Sequence, residues 1–103
     1  MWQKKKISVV LPTYDEKNSI KNVISLFEKL GIVDEIIVVN NNAVLGTSEE
    51  IAKTNALELH ETVQGYGAAI IRGLQEAKGD YVVVCEPDGT FIATDLYKFL
   101  SYA

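Results

Sequence analysis

The stretch YVVVCEPDGTF, Tyr81 to Phe91, runs apolar residues and a cysteine straight into Glu86, Pro87 and Asp88. An unbroken apolar run of this length, stopped by turn formers, reads as a strand buried on both faces. Such strands belong to parallel sheets covered by helices on either side. Two more runs have the same character: ISVVL (Ile7 to Leu11), stopped by Pro12, and EIIVV (Glu35 to Val39), ending in three asparagines. ALELH (Ala56 to His60) adds a strand with Leu57 and Leu59 on one face.

Helical spacing fills the gaps. From Asn18 or Ser19, the apolar residues Ile20, Val23, Ile24, Phe27 and Leu30 recur at helical period, and Gly31 closes the helix. Thr47 to Glu50 reads as a capping box with Thr47 at the N-cap. A third helix carries Ala68, Ile71, Leu74 and Ala77 and stops at Gly79; a last one starts at Ala93 or Thr94 with Leu96, Phe99 and Leu100 inward. Strands separated by helices cannot pair as hairpins, so the β-α-β-α-β-α-β-α order predicts an α/β fold with a parallel sheet.

The chain has 103 residues, enough for a single small domain, and a net charge of −4. That charge argues against nucleic acid or an anionic membrane as a partner. The basic residues Lys4 to Lys6 read as a solvated chain end. No apolar run approaches the ~20 residues of a membrane span. The single Cys85 excludes an intrachain disulfide or a multi-cysteine zinc site and reads as a small buried hydrophobe, which fits a reducing cytoplasm.

In an open parallel sheet, ligands bind beyond the carboxyl ends of the strands. The loops there read PTYDEKN, NNNAVLGT, ETVQGYG and EPDGTF. Glu86 and Asp88 could supply hard oxygen ligands to Mg2+ or Mn2+, with the metal bridging a diphosphate. Pro87, Asp88 and Gly89 equally suit a plain β-turn. Asparagine amides such as Asn40, Asn41 and Asn42 can hydrogen-bond a base or ribose, and they also serve turns. Asp15 or Glu16 could meet a ligand hydroxyl, while Lys17 reads as solvated. Gly65, Gly67 and Gly73 do not make G-x-G-x-x-G, and a Walker A motif is absent, which disfavours a nicotinamide or P-loop enzyme. His60 has no partner for metal or nucleophile chemistry.

Together, ISVVLPTYDEKNSI, DEIIVVNNNAVLGTSEEIA, QGYGAAIIRGLQEAKGDYVVV and CEPDGTF resemble, in order and spacing, the N-terminal half of family 2 glycosyltransferases of the GT-A fold. The resemblance runs from Ile7 to about Phe91. It implies a three-layer α/β/α, Rossmann-like sheet of order 3-2-1-4 and a nucleotide-diphosphate sugar as ligand. By the same resemblance Pro12, Tyr14 and Glu16 border the nucleotide, with Asp15 where many members have asparagine. Asn40 and Asn41 stand where an aspartate pair usually contacts base and ribose. The segment Gln64 to Gly67, with Gln64, Gly65 and Gly67 as its named contacts, lines the donor pocket, and Arg72 sits near it. Glu86 and Asp88 correspond to the D-x-D metal motif.

The departures matter too. Of a common second loop, D-D-G-S-T-D-G-T, only Gly46 and Thr47 survive, and the first metal acid is Glu86, one methylene longer. The family's catalytic domain is about twice this length, so the resemblance implies an N-terminal donor-binding half, without a general base and inactive by itself. Its strand at residues 81–85 would be an apolar edge, which predicts a homodimer or higher association. The expected reaction of the whole protein is metal-dependent sugar transfer to a lipid-phosphate or polysaccharide acceptor. A cytoplasmic location is expected, and the inner membrane face is compatible with it for the full-length protein. The competing expectations are a non-catalytic nucleotide-binding or assembly module and a nucleotidyltransferase-like protein; the latter would want a glycine-rich basic loop after the first strand, which PTYDEKN does not supply.

Overall fold

The strand β1 (Ile7–Thr13) is buried along its whole length, so it must be paired on both edges and covered on both faces. The computed structural model, which describes residues 1–87, shows how. β2 (Glu35–Asn40) and β4 (Tyr81–Val84) flank β1, and β3 (Leu57–His60) lies outside β2. All pairings are parallel, and the order is β3-β2-β1-β4. The expected class and order both hold. The turn from Asp88 onward and the helix expected from Ala93 or Thr94 lie outside the described residues.

Alternation along the strands sorts their side chains between two cores. Val9, Leu11 and Val38 pack under α1 (Ile20–Leu30) and α2 (Thr47–Ala52), against Ile20, Val23, Ile24, Phe27 and Ile51. Val10, Ile37 and Val39 face the other way, under Ala69 of α3 (Tyr66–Glu76). The period of α1 is as the spacing predicts, with Leu30 packed at its rim and Gly31 in the left-handed region at φ 75°.

Four local expectations are corrected. Pro12 does not stop β1, which continues to Thr13. Successive residues of β1 address opposite neighbours: Cys85 N–H donates to Val10 O, whereas Asn41 N–H donates to Thr13 O. Pro12 therefore turns its missing N–H toward the β4 side, past the end of that pairing, and forfeits no ladder bond. The capping box does not form. Gly46, at φ 96°, is the N-cap of α2, Thr47 Oγ1 donates to Val44 O, and Glu50 pairs with Lys53 at 2.6 Å.

The inward face of α3 is also different. Ala69 and Gly73 are its buried residues, while Ile71 and Leu74 point outward, 57% and 47% exposed. The helix lies so close to β1 that a Cβ at Gly73 would sit 2.3 Å from Val10 Cγ1. Bulky side chains have no room there; of the residues expected inward, Ala77 packs against this core, whereas Ile71 and Leu74 do not. Finally, α3 ends at Glu76, before Gly79. Gly79 serves close approach instead: its N–H donates to Ser8 Oγ at 2.8 Å, where a Cβ would clash. Cys85 is half-buried and packs on the α1 side of the core.

Carboxylates tie down the opposite, amino end of the sheet. Asp34 Oδ2 accepts Ile7 N–H at 2.8 Å, and Glu35 Oε1 accepts both Ser8 Oγ and Lys78 N–H. The Ile7 bond is the main reason that the Asp34 carboxyl is held below its usual range; partial burial opposes it, and the nearby amino terminus adds to it.

The tight α3–β1 contact yields a test. Gly73→Ala improves helix propensity but overpacks the sheet, and we expect a net loss of about 1–2 kcal/mol in urea denaturation. Adding Val10→Ala should reduce the penalty that Gly73→Ala causes. A Gly73→Ala protein as stable as the parent would mean that the helix does not sit this close.

Candidate functional site

All the loops that follow the strands open on one edge of the sheet, and a cleft of ≈ 280 Å³ lies among them. It is lined by Pro12, Thr13, Tyr14, Glu16, Asn41, Gln64, Tyr66, Ala69 and Glu86. Residues from four separate segments thus converge where an open parallel sheet binds ligands. Of the residues named from sequence, the cleft brings together Pro12, Tyr14, Glu16, Asn41, Gln64 and Glu86.

Each is positioned by the local backbone. Glu16 folds back on its own loop, its carboxylate accepting Tyr14 N–H at 3.0 Å and Asp15 N–H at 3.3 Å. The loops after β1 and β2 are joined by Val44 N–H donating to Tyr14 O. The chain leaving β4 is anchored by Ser19, whose hydroxyl lies 2.6 Å from Pro87 O. Ser19 is the N-cap of α1, yet its hydroxyl caps no helix amide. It fixes Pro87, which is buried, and so holds Glu86 beside the Glu16 loop. Among the described residues, Glu86 forms no ion pair, because no lysine or arginine reaches it.

Asn40 and Asn41 are adjacent at the end of β2, so their side chains go to opposite faces. Asn41 lies in the cleft on the α3 side. Asn40 turns toward α2 and β3: its Nδ2 donates to Glu58 Oε2 at 3.0 Å and to Ser48 Oγ at 3.2 Å, and its Oδ1 accepts Ala43 N–H. Ser48 Oγ also donates to Glu58 Oε2. Asn40 thus does not line the cleft. Gly65, at φ 133°, is the N-cap of α3, and its N–H donates to Asn41 Oδ1; Gly67 follows in the first turn. Arg72 is half-buried on α3, away from the cleft lining, and its Nε finds no hydrogen-bond partner among the described residues. Asp88 lies outside the described residues.

Sequence reasoning did not single out Thr13 or Ala69, whereas Tyr66 falls within the expected Gln64 to Gly67 segment. Thr13 lies beyond the strand end expected at Pro12; its Oγ1 is buried and has no partner among the described residues. Ala69 would have been found by placing the start of α3 at the cleft, where its spacing of three residues from Tyr66 puts both on one helical face.

Among the described residues, the lining includes the carboxylates of Glu16 and Glu86 and no lysine or arginine. An anionic ligand would meet like charge there unless a cation accompanied it. The described residues include no group of three or more metal-ligating side chains, but Glu86 offers a hard oxygen donor suited to Mg2+ or Mn2+.

The fold defines an open, parallel α/β sheet of the GT-A type, with a cleft at its carboxyl edge. The family model for glycosyl transferase family 2 matches residues 8–103, and the chain belongs to that family. It is 35% identical over 92 residues to a glucosyl-3-phosphoglycerate synthase from Mycolicibacterium paratuberculosis, covering 80% of this chain and 28% of that protein. It is 30% identical over 90 residues to the dolichol-phosphate mannosyltransferase of Pyrococcus furiosus, covering 81% of this chain and 26% of that protein. A crystal structure of Mycobacterium tuberculosis glucosyl-3-phosphoglycerate synthase with Mn2+, UDP and phosphoglyceric acid superposes with a TM-score of 0.74 at 30% identity, covering 82% of this chain and 33% of that one. The chain therefore spans about a quarter to a third of the length of these relatives.

The asparagine at position 40 makes a specific demand. Asn40→Asp would replace the Nδ2 donor by a carboxylate facing Glu58 at the same 3.0 Å. We expect a loss of about 1–3 kcal/mol in denaturant unfolding, largely restored by adding Glu58→Gln. Unchanged stability in Asn40→Asp would show that this buried network does not hold the loop.

Proposed function

We propose that this chain is the nucleotide-diphospho-sugar binding portion of a metal-dependent glycosyltransferase, whose whole protein transfers the sugar to a lipid-phosphate or polysaccharide acceptor. The observation that carries the reading is the cleft at the carboxyl edge of the sheet, rimmed by Glu16 and Glu86 and, among the described residues, lined by no basic side chain. Among the described lining residues a diphosphate meets nothing cationic, which leaves a metal to bind it. The Mn2+ and UDP in the similar synthase, and the lipid-phosphate acceptor named for the mannosyltransferase, support the same reading.

In this scheme Pro12, Tyr14 and Glu16 border the nucleoside, and Gln64, Gly65 and Gly67 line the donor side. Glu86 and Asp88 would hold Mg2+ or Mn2+. When bound, the metal neutralises the diphosphate that leaves as the acceptor attacks the anomeric carbon. No side chain of this chain is assigned as the base for the acceptor hydroxyl. The 103-residue protein alone is therefore expected to bind donor weakly and to transfer no sugar. A cytoplasmic site of action, at the inner membrane face if the acceptor is a lipid phosphate, fits this chemistry. No helix among the described residues is long and apolar enough to cross a membrane.

Calorimetric titration with UDP-, GDP- and dTDP-sugars, with and without Mn2+, tests the proposal. Binding should require the metal and fall at least about tenfold in Asp88→Ala, as loss of a charged ligand predicts. A second reading, a non-catalytic module, is favoured by the internal engagement of the asparagine loop; absence of binding to every nucleotide would select it.

We also propose self-association through β4, the edge of the sheet among the described residues, whose side chains carry no charge. Sedimentation should show a dimer or larger species that dissociates in Val82→Lys. A monomer at high concentration would remove this proposal.

A further inference from the structure

The segment between β3 and α3 contributes Gln64 and the α3 N-terminus to the cleft, yet it has no secondary structure of its own over residues 61–65. Its position comes from two neighbouring amides. Asn41 Nδ2 donates to Glu61 O at 2.9 Å and to Val63 O at 2.8 Å. Asn41 Oδ1 accepts Gly65 N–H at 2.9 Å and Gln64 Nε2 at 3.4 Å. Asn42 Nδ2 donates to Thr62 O at 3.1 Å and to Gln64 Oε1 at 2.9 Å. Three successive carbonyls are thus held, and the Gln64 amide is gripped at both its nitrogen and its oxygen.

An asparagine has two N–H donors and two carbonyl lone pairs, and all of these are engaged at Asn41. Asn41 is 4% exposed and has no hydrogen-bonding capacity left for a ligand. Gln64 differs. One of its N–H groups and one of its lone pairs remain outside the bonds to Asn41 and Asn42, and it lines the cleft.

We propose, resting on the nucleotide-sugar reading above, that Asn41 is a positioning residue and that Gln64, held by Asn41 and Asn42, discriminates among donor bases. The grip fixes the order in which Gln64 presents its donor and its acceptor. Uracil and cytosine offer opposite orders on the same ring edge, so a fixed amide accepts one and mismatches the other. Base choice in this chain then depends on amide donors at the end of β2. A carboxylate at position 41 cannot supply them and would face two carbonyl oxygens.

The test compares the full chain with Asn41→Asp, Asn42→Gly and Gln64→Leu. Hydrogen exchange is read by segment, and UDP and CDP affinities are measured with Mn2+. The parent should separate UDP from CDP by about tenfold or more, the factor set by a misplaced hydrogen bond. Gln64→Leu should bring that ratio toward one without altering exchange in β1 or β2. Asn41→Asp should speed exchange over residues 61–65 by at least about tenfold and lose the base preference as well. Should Asn41→Asp fail to fold, Asn42→Gly tests the same grip, because Asn42 sits at φ 57°, which glycine adopts freely. Undiminished base preference in Gln64→Leu, or unchanged exchange over 61–65 in Asn41→Asp or Asn42→Gly, would overturn the proposal. If the parent binds neither nucleotide, the donor reading and Gln64's role fall together; faster exchange in the variants would then leave only the positioning role standing.

Discussion

Burial of β1 on both faces is the constraint from which the rest follows. Every residue from Ile7 to Thr13 is out of water. Its backbone groups must be bonded on both edges, which requires β2 and β4, and its side chains must be covered above and below, which requires helices on both faces. Parallel pairing through helical crossovers then brings the strand ends out together. The cleft is a consequence of that topology, because loops far apart in sequence have one edge to share.

The second organising feature is the choice of amides where negative charge would be the simpler expectation. Asn40 donates to a glutamate that is itself bonded to Ser48. Asn41 and Asn42 donate to backbone carbonyls of the following loop. Donors are needed at all these points, and a carboxylate provides none. The cleft still carries two carboxylates, Glu16 and Glu86, from other loops. Charge is thus kept at the cleft, while neutral amides do the framework bonding.

Much of this was legible in the residues. The runs ISVVL, EIIVV and YVVV are apolar without alternation, and the α1 spacing is regular, so both the parallel sheet and its covering helices could be expected. The motif order carried the family and six of the cleft residues. What failed were the decisions that depend on distance. Pro12 looks like a stop until the neighbour it faces is known. Ile71 and Leu74 look like core until α3 is seen to lie too near Val10 for anything larger than alanine or glycine. Thr47 and Glu50 look like a capping box until Gly46 takes the N-cap and Lys53 takes the glutamate.

By itself, then, the sequence determined the class of fold, the edge at which a ligand would bind and the acids available there, because hydrophobic period and loop order are local properties of the chain. The tertiary structure decided which of two adjacent asparagines enters the cleft, which face of α3 is buried, and what holds Gln64. These depend on strand register and on the approach of one element to another, separations of a few ångströms between residues some twenty or more positions apart. No local pattern encodes them.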